Sequence, residues 1–235
     1  MSEPPRKRMV KPPTGGGEGG RPQPARLKTA KLRTPSSQAW LERQINDPFS
    51  AKARAHGYRS RAAYKLIEID DKFRFLKPGA RVVDLGLAPG GWTQVALERK
   101  VGAVVGVDLL PVEPIPPAFI LQMDFTDPAC GPLLMERLGG APDVVLSDMA
   151  PNTVGHKQTD HLRIVNLIEA AAEFAIEVLK PGGVFVAKAF QGGEAEGVNT
   201  LLKRHFASVR NVKPKASRAE SSEVYLVATG FKGRG

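Results

Sequence analysis

The sequence predicts an α/β protein built on a doubly wound, mostly parallel sheet with a last antiparallel strand at its edge. Three observations predict it. Short, near-continuous Val/Leu runs recur along the chain, as in strands covered on both faces. Helical periods fall between them, giving the βαβ rhythm of an open parallel sheet. The first three runs end at or near a carboxylate (Asp84, Asp108 and Asp124), with a glycine-rich turn after the first.

The elements follow in order. Residues 1–35 hold nine Lys or Arg against two Glu, with seven Pro, five Gly and no aromatic residue. Such a segment cannot bury enough apolar surface to offset the entropy of ordering it, so a disordered basic tail is expected. A nucleic-acid-binding arm and a transit peptide are the alternatives, though the Gly/Pro density argues against an amphipathic helix. The folded domain is expected over residues 36–235, opening with a helix capped by Ser36 or Ser37 and running through Trp40, Leu41 and Ile45. Buried strands are expected over residues 81–86, 103–108, 119–124, 144–148 and 184–188. Between the last two, residues 161–179 place Leu162, Val165, Ile168, Ala172 and Ile176 on one helical face, and Lys180-Pro-Gly-Gly183 stops the helix. A basic loop then leads to a final strand over 223–229, expected to be antiparallel at the edge.

Composition excludes several classes. The 235 residues allow one full domain or two small ones, at roughly 100–200 residues each. One cysteine, Cys130, excludes a disulfide scaffold and a multi-Cys zinc site. His56, His156, His161 and His205 are scattered without a thiolate partner, so no metal is expected. No apolar run approaches the ~20 residues that span a bilayer, and the start lacks the apolar stretch of a signal peptide. A soluble, cytoplasmic, monomeric protein is expected, with the mitochondrial matrix as the alternative location.

The net charge is +10. Outside the tail, two acid-free segments stand out. Residues 52–65 interleave Lys52, Arg54, Arg59, Arg61 and Lys65 with Tyr58 and Tyr64. Cations among aromatic rings suit phosphates and stacked bases better than plain solvation. Residues 197–219 carry Lys203, Arg204, Arg210, Lys213, Lys215 and Arg218. If the two segments converge, they form a nucleic-acid face.

The turn Asp84-Leu-Gly-Leu-Ala-Pro-Gly-Gly-Trp92 sits at the first strand–helix junction, where doubly wound sheets bind ligands. Gly86, Gly90 and Gly91 allow close backbone approach to a ligand. The spacing is not that of a dinucleotide fingerprint, and Pro89 removes a donor that a pyrophosphate would want. Asp108, 24 residues after Asp84, is placed to take ribose hydroxyls, and Asp124 to reach an exocyclic amine. Trp92 fits either a cofactor wall or core packing. An adenosine ligand without a phosphate cradle is implied, and S-adenosylmethionine fits.

The blocks SRAAYKL (60–66), VVDLGLAPGGW (82–92), DLLP (108–111), MDF (123–125), LSDMAPN (146–152), FVAKAFQG (185–192) and SSEVYLVATG (221–230) resemble the FtsJ-type RNA 2′-O-ribose methyltransferases. The resemblance runs in unbroken order over about residues 36–232. It implies a Rossmann-like, S-adenosylmethionine-dependent methyltransferase fold. It also implies cofactor contacts at Gly90, Trp92, Asp108, Asp124 and Asp148, and a catalytic set of Lys65, Asp148, Lys188 and Glu223. Within the family the likeness is to its bacterial branch. That branch implies methylation of a uridine ribose in 23S rRNA of the large ribosomal subunit. A tRNA or cap ribose, and a non-catalytic RNA-binding relative, are the alternatives. Two departures are Leu87, where a small Ala is common, and Ser222, where Arg often precedes the Glu.

The chemistry suits these residue types. A ribose 2′-hydroxyl is a weak nucleophile and needs a base or a cation beside its oxygen. A lysine serves as base only when burial or a neighbouring ammonium disfavours its charged form. Lys188, at the end of a buried strand, is the expected proton acceptor and Lys65 the second cation. Asp148 and Glu223 orient the two amines.

Overall fold

Val82 and Val83 point to opposite faces of one strand, and both are fully buried, which requires a sheet covered on both sides. The computed structural model describes residues 47–150, 157–191 and 196–233. The tail expected over residues 1–35 and the helix expected through Trp40, Leu41 and Ile45 lie outside the described residues. The chain divides into two units, Met1–Gly57 and Tyr58–Gly235. In the first, helix α1 (Pro48–Ala55) is capped by Asp47, whose carboxylate accepts from the Ser50 N–H at 2.7 Å.

The second unit runs α2 (Ala62–Phe73), β1 (Arg81–Leu85), α3 (Gly91–Glu98), β2 (Ala103–Asp108), β3 (Phe119–Gln122), α4 (Cys130–Leu138) and β4 (Val144–Ser147). It continues with α5 (Lys157–Val178), β5 (Val184–Phe190), α6 (Glu196–His205), β6 (Phe206–Val212) and β7 (Glu223–Phe231). The sheet order is β3-β2-β1-β4-β5-β7-β6. The first five strands are parallel, and β7 is antiparallel to both of its neighbours. The last strand is therefore antiparallel as expected, but it is not at the edge. That place belongs to β6, which the sequence reading took for part of a basic loop. Among its residues only Phe206 is buried, the pattern of an edge strand with little core to face.

Boundaries shift by a few residues. The third strand stops at Gln122 because Asp124 turns the chain, its Oδ1 accepting from the Thr126 N–H at 2.8 Å. The fourth stops at Ser147, one residue before Asp148, and α5 begins at Lys157 rather than 161.

Period-2 alternation divides the core. On one face, Leu66 and Ile69 of α2 and Trp92 and Val95 of α3 pack on Val82, Leu146, Val186 and Tyr225. On the other, Leu134, Phe174 and Leu202, from α4, α5 and α6, pack on Val83, Val105, Phe185 and Leu226. Leu66 is 0% exposed, so truncating it to Ala should cost about 2–5 kcal/mol. Strand order reverses at β1, with β2 on one side and β4 on the other, and a crevice opens at the carboxyl ends of these strands.

Candidate active site

Three strands, the last antiparallel to the other two, and one helix bring the four expected catalytic residues together. Lys188 lies near the carboxyl end of β5. Glu223 starts β7, which runs the other way, so both sit at the same end of the sheet. Asp148 follows β4, its N–H donating to Leu85 O at 3.1 Å. Lys65 projects from α2, on the face where Val186 and Tyr225 lie.

The contacts form one chain. Lys65 Nζ donates to Glu223 Oε1 at 2.6 Å and to the Tyr225 hydroxyl at 3.2 Å. The Tyr225 hydroxyl lies 3.2 Å from Glu223 Oε1 and 3.1 Å from Asp148 Oδ1, placed to donate to either. Lys188 Nζ donates to Asp148 O at 2.5 Å and lies 3.2 Å from Asp148 Oδ1. Two ion pairs are thus bridged by a tyrosine. Burial pushes the Glu223 carboxyl up, but the Lys65 ammonium and the hydrogen bonds from Lys65 and Ser217 outweigh it and hold the group below its ordinary value. Burial first, then the Asp148 and Glu223 charges, push the Tyr225 hydroxyl well above its usual range, so it stays protonated.

Sequence reasoning missed Tyr225. The available signal was its spacing: Glu223 and Tyr225 are two apart on one strand and so share a face.

A cavity of about 270 Å³ adjoins this network and shares Asp148 with it. Asp108, Asp124 and Asp148 line it, together with Gly86 and Ala88 of the loop and an apolar set including Leu109, Met123, Phe125 and Leu167. Asp108 holds the loop as well. Its Oδ2 accepts from the Ala88 N–H and its Oδ1 from the Leu110 N–H, both at 2.9 Å. Asp124 Oδ1 takes both Thr126 donors, which hold its carboxyl below the ordinary value.

Gly90 and Trp92 are not among the residues that line the cavity. The Trp92 indole is 2% exposed, donates to Ala62 O at 2.9 Å and packs 5.6 Å from the Tyr225 ring. Of its two expected uses, the ring serves the core. The loop glycines also answer to the protein itself. A Cβ on Gly86 (φ +75°) would meet Met149 at 2.7 Å, and one on Gly90 (φ +108°) would meet Ile115 at 2.2 Å. Beneath the loop, Asp84 is fully buried, and its Oδ2 accepts from Thr93 Oγ1 at 2.7 Å. Burial, reinforced by Asp148 and Asp108 and opposed by the Thr93 hydrogen bond, raises its carboxyl to about 7.

The two basic segments converge. Arg61 donates to Ala216 O, and Glu68 accepts from the Lys215 and Ala216 N–H groups at 2.6 and 2.9 Å. Several of these cations are also engaged within the protein. Arg59 and Arg61 direct their guanidinium groups at backbone carbonyls, and Lys213 donates to Ala219 O and Ser221 O. They brace loops, because a carbonyl within reach is an acceptor that needs no partner from outside. The segments also spread along the sheet: Lys213 follows the end of β6 nearest Lys188, and Lys203 and Arg204 precede its other end.

Among the described residues, no group of three or more His, Cys, Asp or Glu could hold a metal ion, and no helix is long and apolar enough to cross a membrane.

This strand order, with a carboxylate-lined cavity at the switch point and a lysine–carboxylate network beside it, defines a methyltransferase of the α/β class. The chain matches the FtsJ-like methyltransferase family over residues 58–231, and it belongs to that family. It is 74% identical over 226 residues to ribosomal RNA large subunit methyltransferase E of Caulobacter sp. strain K31, covering 96% of this chain and 100% of that one. The protein of the same name from Sphingopyxis alaskensis is 59% identical over 222 residues, covering 94% and 96%. A crystal structure of a ribosomal RNA methyltransferase from Plasmodium falciparum superposes with a TM-score of 0.67 at 35% identity, covering 75% of this chain and 100% of that one.

Proposed function

We propose that the chain transfers the methyl group of S-adenosylmethionine to a ribose 2′-hydroxyl in the RNA of the large ribosomal subunit, with the uridine of 23S rRNA as the target class. The observation that carries this reading is Asp148, which belongs at once to the cofactor cavity and to the Lys65–Glu223–Tyr225–Asp148–Lys188 chain. The names of the relatives supply the RNA.

The residues fit the cofactor. At about 270 Å³ the cavity lies just below the roughly 300–1,000 Å³ of small-molecule sites. Its three carboxylates suit hydroxyls, an amine and a cationic centre, and its apolar wall suits an adenine ring. Asp108 takes the ribose hydroxyls, Asp124 the base and Asp148 the positively charged end, while Gly90 and Trp92 shape the loop. When bound, the cofactor supplies a methyl carbon on a positively charged sulfur, ready for in-line displacement.

The chain's own groups supply the rest. Lys188 accepts the 2′-hydroxyl proton, for which its amine must first shed its own proton. Lys65 stabilises the negative charge that develops on the oxygen. Asp148 and Glu223 orient the two lysines, and Tyr225 ties the carboxylates together. Holding the hydroxyl in line contributes further.

The test is methyl transfer from labelled S-adenosylmethionine to large subunits lacking ribose methylation, with the product mapped by mass spectrometry. A 2′-O-methyluridine in 23S rRNA is expected. Label on a base, or on tRNA alone, overturns the reading.

A further inference from the structure

We propose that Arg59 is a positioning residue for the cofactor loop, a carbonyl clasp rather than an RNA phosphate contact; this rests on the reading of the cavity as an S-adenosylmethionine site. Arg59 lies just before α2 and is exposed. Its guanidinium nevertheless engages three backbone carbonyls from two other segments. Nη1 donates to Pro89 O at 3.3 Å and to Glu113 O at 2.6 Å, and Nη2 donates to Pro114 O at 2.9 Å. The Arg59 N–H donates to Gln94 Oε1 at 2.8 Å, so α3 holds the base of the side chain.

The two segments so joined are the ones that build the cavity. Pro89 belongs to the β1–α3 loop, whose Gly86 and Ala88 line it, and Glu113 and Pro114 continue the chain from Asp108, Leu109 and Leu110, which line it from the other side. On the cavity side the same segments are joined by Asp108, through the Ala88 N–H. On the far side Arg59 joins them, and Ile115 is seated so close to Gly90 that a Cβ there would lie 2.2 Å from its Cδ1. The loop is therefore held from both sides.

The planar fork explains the residue type. One guanidinium presents five N–H donors in a fixed plane and can reach carbonyls of two segments together, whereas an ammonium is a point donor on a flexible stem. None of the joined residues lies within a strand, so the clasp shapes the ligand site without holding up the sheet. A loop ordered before the ligand arrives loses less freedom on binding, and affinity rises accordingly.

The experiment measures cofactor binding by calorimetry, RNA binding at several salt concentrations, and KM and kcat for both substrates. Arg59→Ala should raise the dissociation constant and KM for S-adenosylmethionine about tenfold. Its kcat, RNA affinity, salt slope and ligand-free melting temperature should stay near wild type. Arg59→Lys, the variant to use if the alanine does not fold, should show a smaller loss in the same direction. Ile115→Ala should also weaken cofactor binding, and the double variant should lose much less than the two single losses combined, because both act on one loop. Unchanged cofactor affinity in Arg59→Ala overturns the clasp. So does a loss of RNA affinity with the salt slope reduced by about one unit, the mark of a phosphate contact. A wild-type protein that binds no S-adenosylmethionine overturns the reading of the site itself.

Discussion

Lys188 and Tyr225 are direct partners across the antiparallel β5–β7 ladder, and both reach Asp148 Oδ1, the amine at 3.2 Å and the hydroxyl at 3.1 Å. The pairing puts the two side chains on one face of the sheet. It makes one carboxylate the meeting point of the expected proton acceptor and a buried phenol. Four predictions follow the geometry outward from this point.

Replacing Lys188 with Ala should leave cofactor affinity near wild type and cut single-turnover methyl transfer by ~10²–10⁴-fold, the usual scale for a general base. Lys188→Arg should not rescue, because guanidinium keeps the charge but cannot accept a proton at ordinary pH. Substantial turnover by the arginine variant would reduce Lys188 to a charge that positions the hydroxyl.

Tyr225→Phe should act more mildly. It removes the bridge between Asp148 and Glu223, yet each lysine keeps its own carboxylate. The loss of stability should be about 0.5–1.5 kcal/mol, as for one hydrogen-bonding group. Turnover should fall less than it does in Lys188→Ala. A melting curve and a single-turnover assay on the same preparation check both, and a rate as low as that of the lysine variant would give the hydroxyl a role in the reaction itself.

Asp84 should make stability depend on pH. Its folded-state value of about 7 lies above the unfolded 3.8, so between these limits the folded protein holds more protons than the unfolded chain. Stability from this group therefore falls as pH rises from about 4 to 7, where the carboxylate must ionise in the interior. Asp84→Asn can still accept from Thr93 and cannot ionise. Denaturation at a series of pH values should show the variant gaining on wild type as pH rises, and a constant difference would refute the assignment.

Glu68→Ala should loosen the loop between β6 and β7, since both carboxylate oxygens hold backbone N–H groups of Lys215 and Ala216. The loop carries Lys215 and Arg218, so ordering it would fall to the RNA-binding step. At about 0.5–1.5 kcal/mol per ordered side chain, RNA affinity should drop roughly 2–10-fold. Cofactor affinity should hold, as Glu68 touches neither the cavity nor the lysine network. Faster proteolysis within 213–222 would accompany the effect, and unchanged RNA binding would show that the loop plays no part in it.

Local chemistry determined the parallel core of this protein. A strand buried on both faces needs apolar residues at every position, so the Val/Leu runs at 82–85, 104–107 and 144–146 announce themselves without any partner. The polar residues that interrupt or end such runs, Asp84, Asp108 and Lys188, stand out by contrast in the same way. Candidate binding residues at strand ends were legible for that reason. Pairing is a different kind of information. Nothing in Phe-Ala-Ser-Val-Arg-Asn-Val says that it shields β7 from solvent, because an edge strand buries too little to carry a strong pattern. Tyr225 reads as one more apolar residue until the β5–β7 register puts it opposite Lys188. Arg59 and Arg61 read as phosphate ligands because cations advertise their charge. Their acceptors are main-chain carbonyls of Pro89, Glu113, Pro114 and Ala216, which every residue carries and no side-chain pattern reveals. Residue type decided which groups were chemically able to act, and the tertiary structure decided which of them were already engaged.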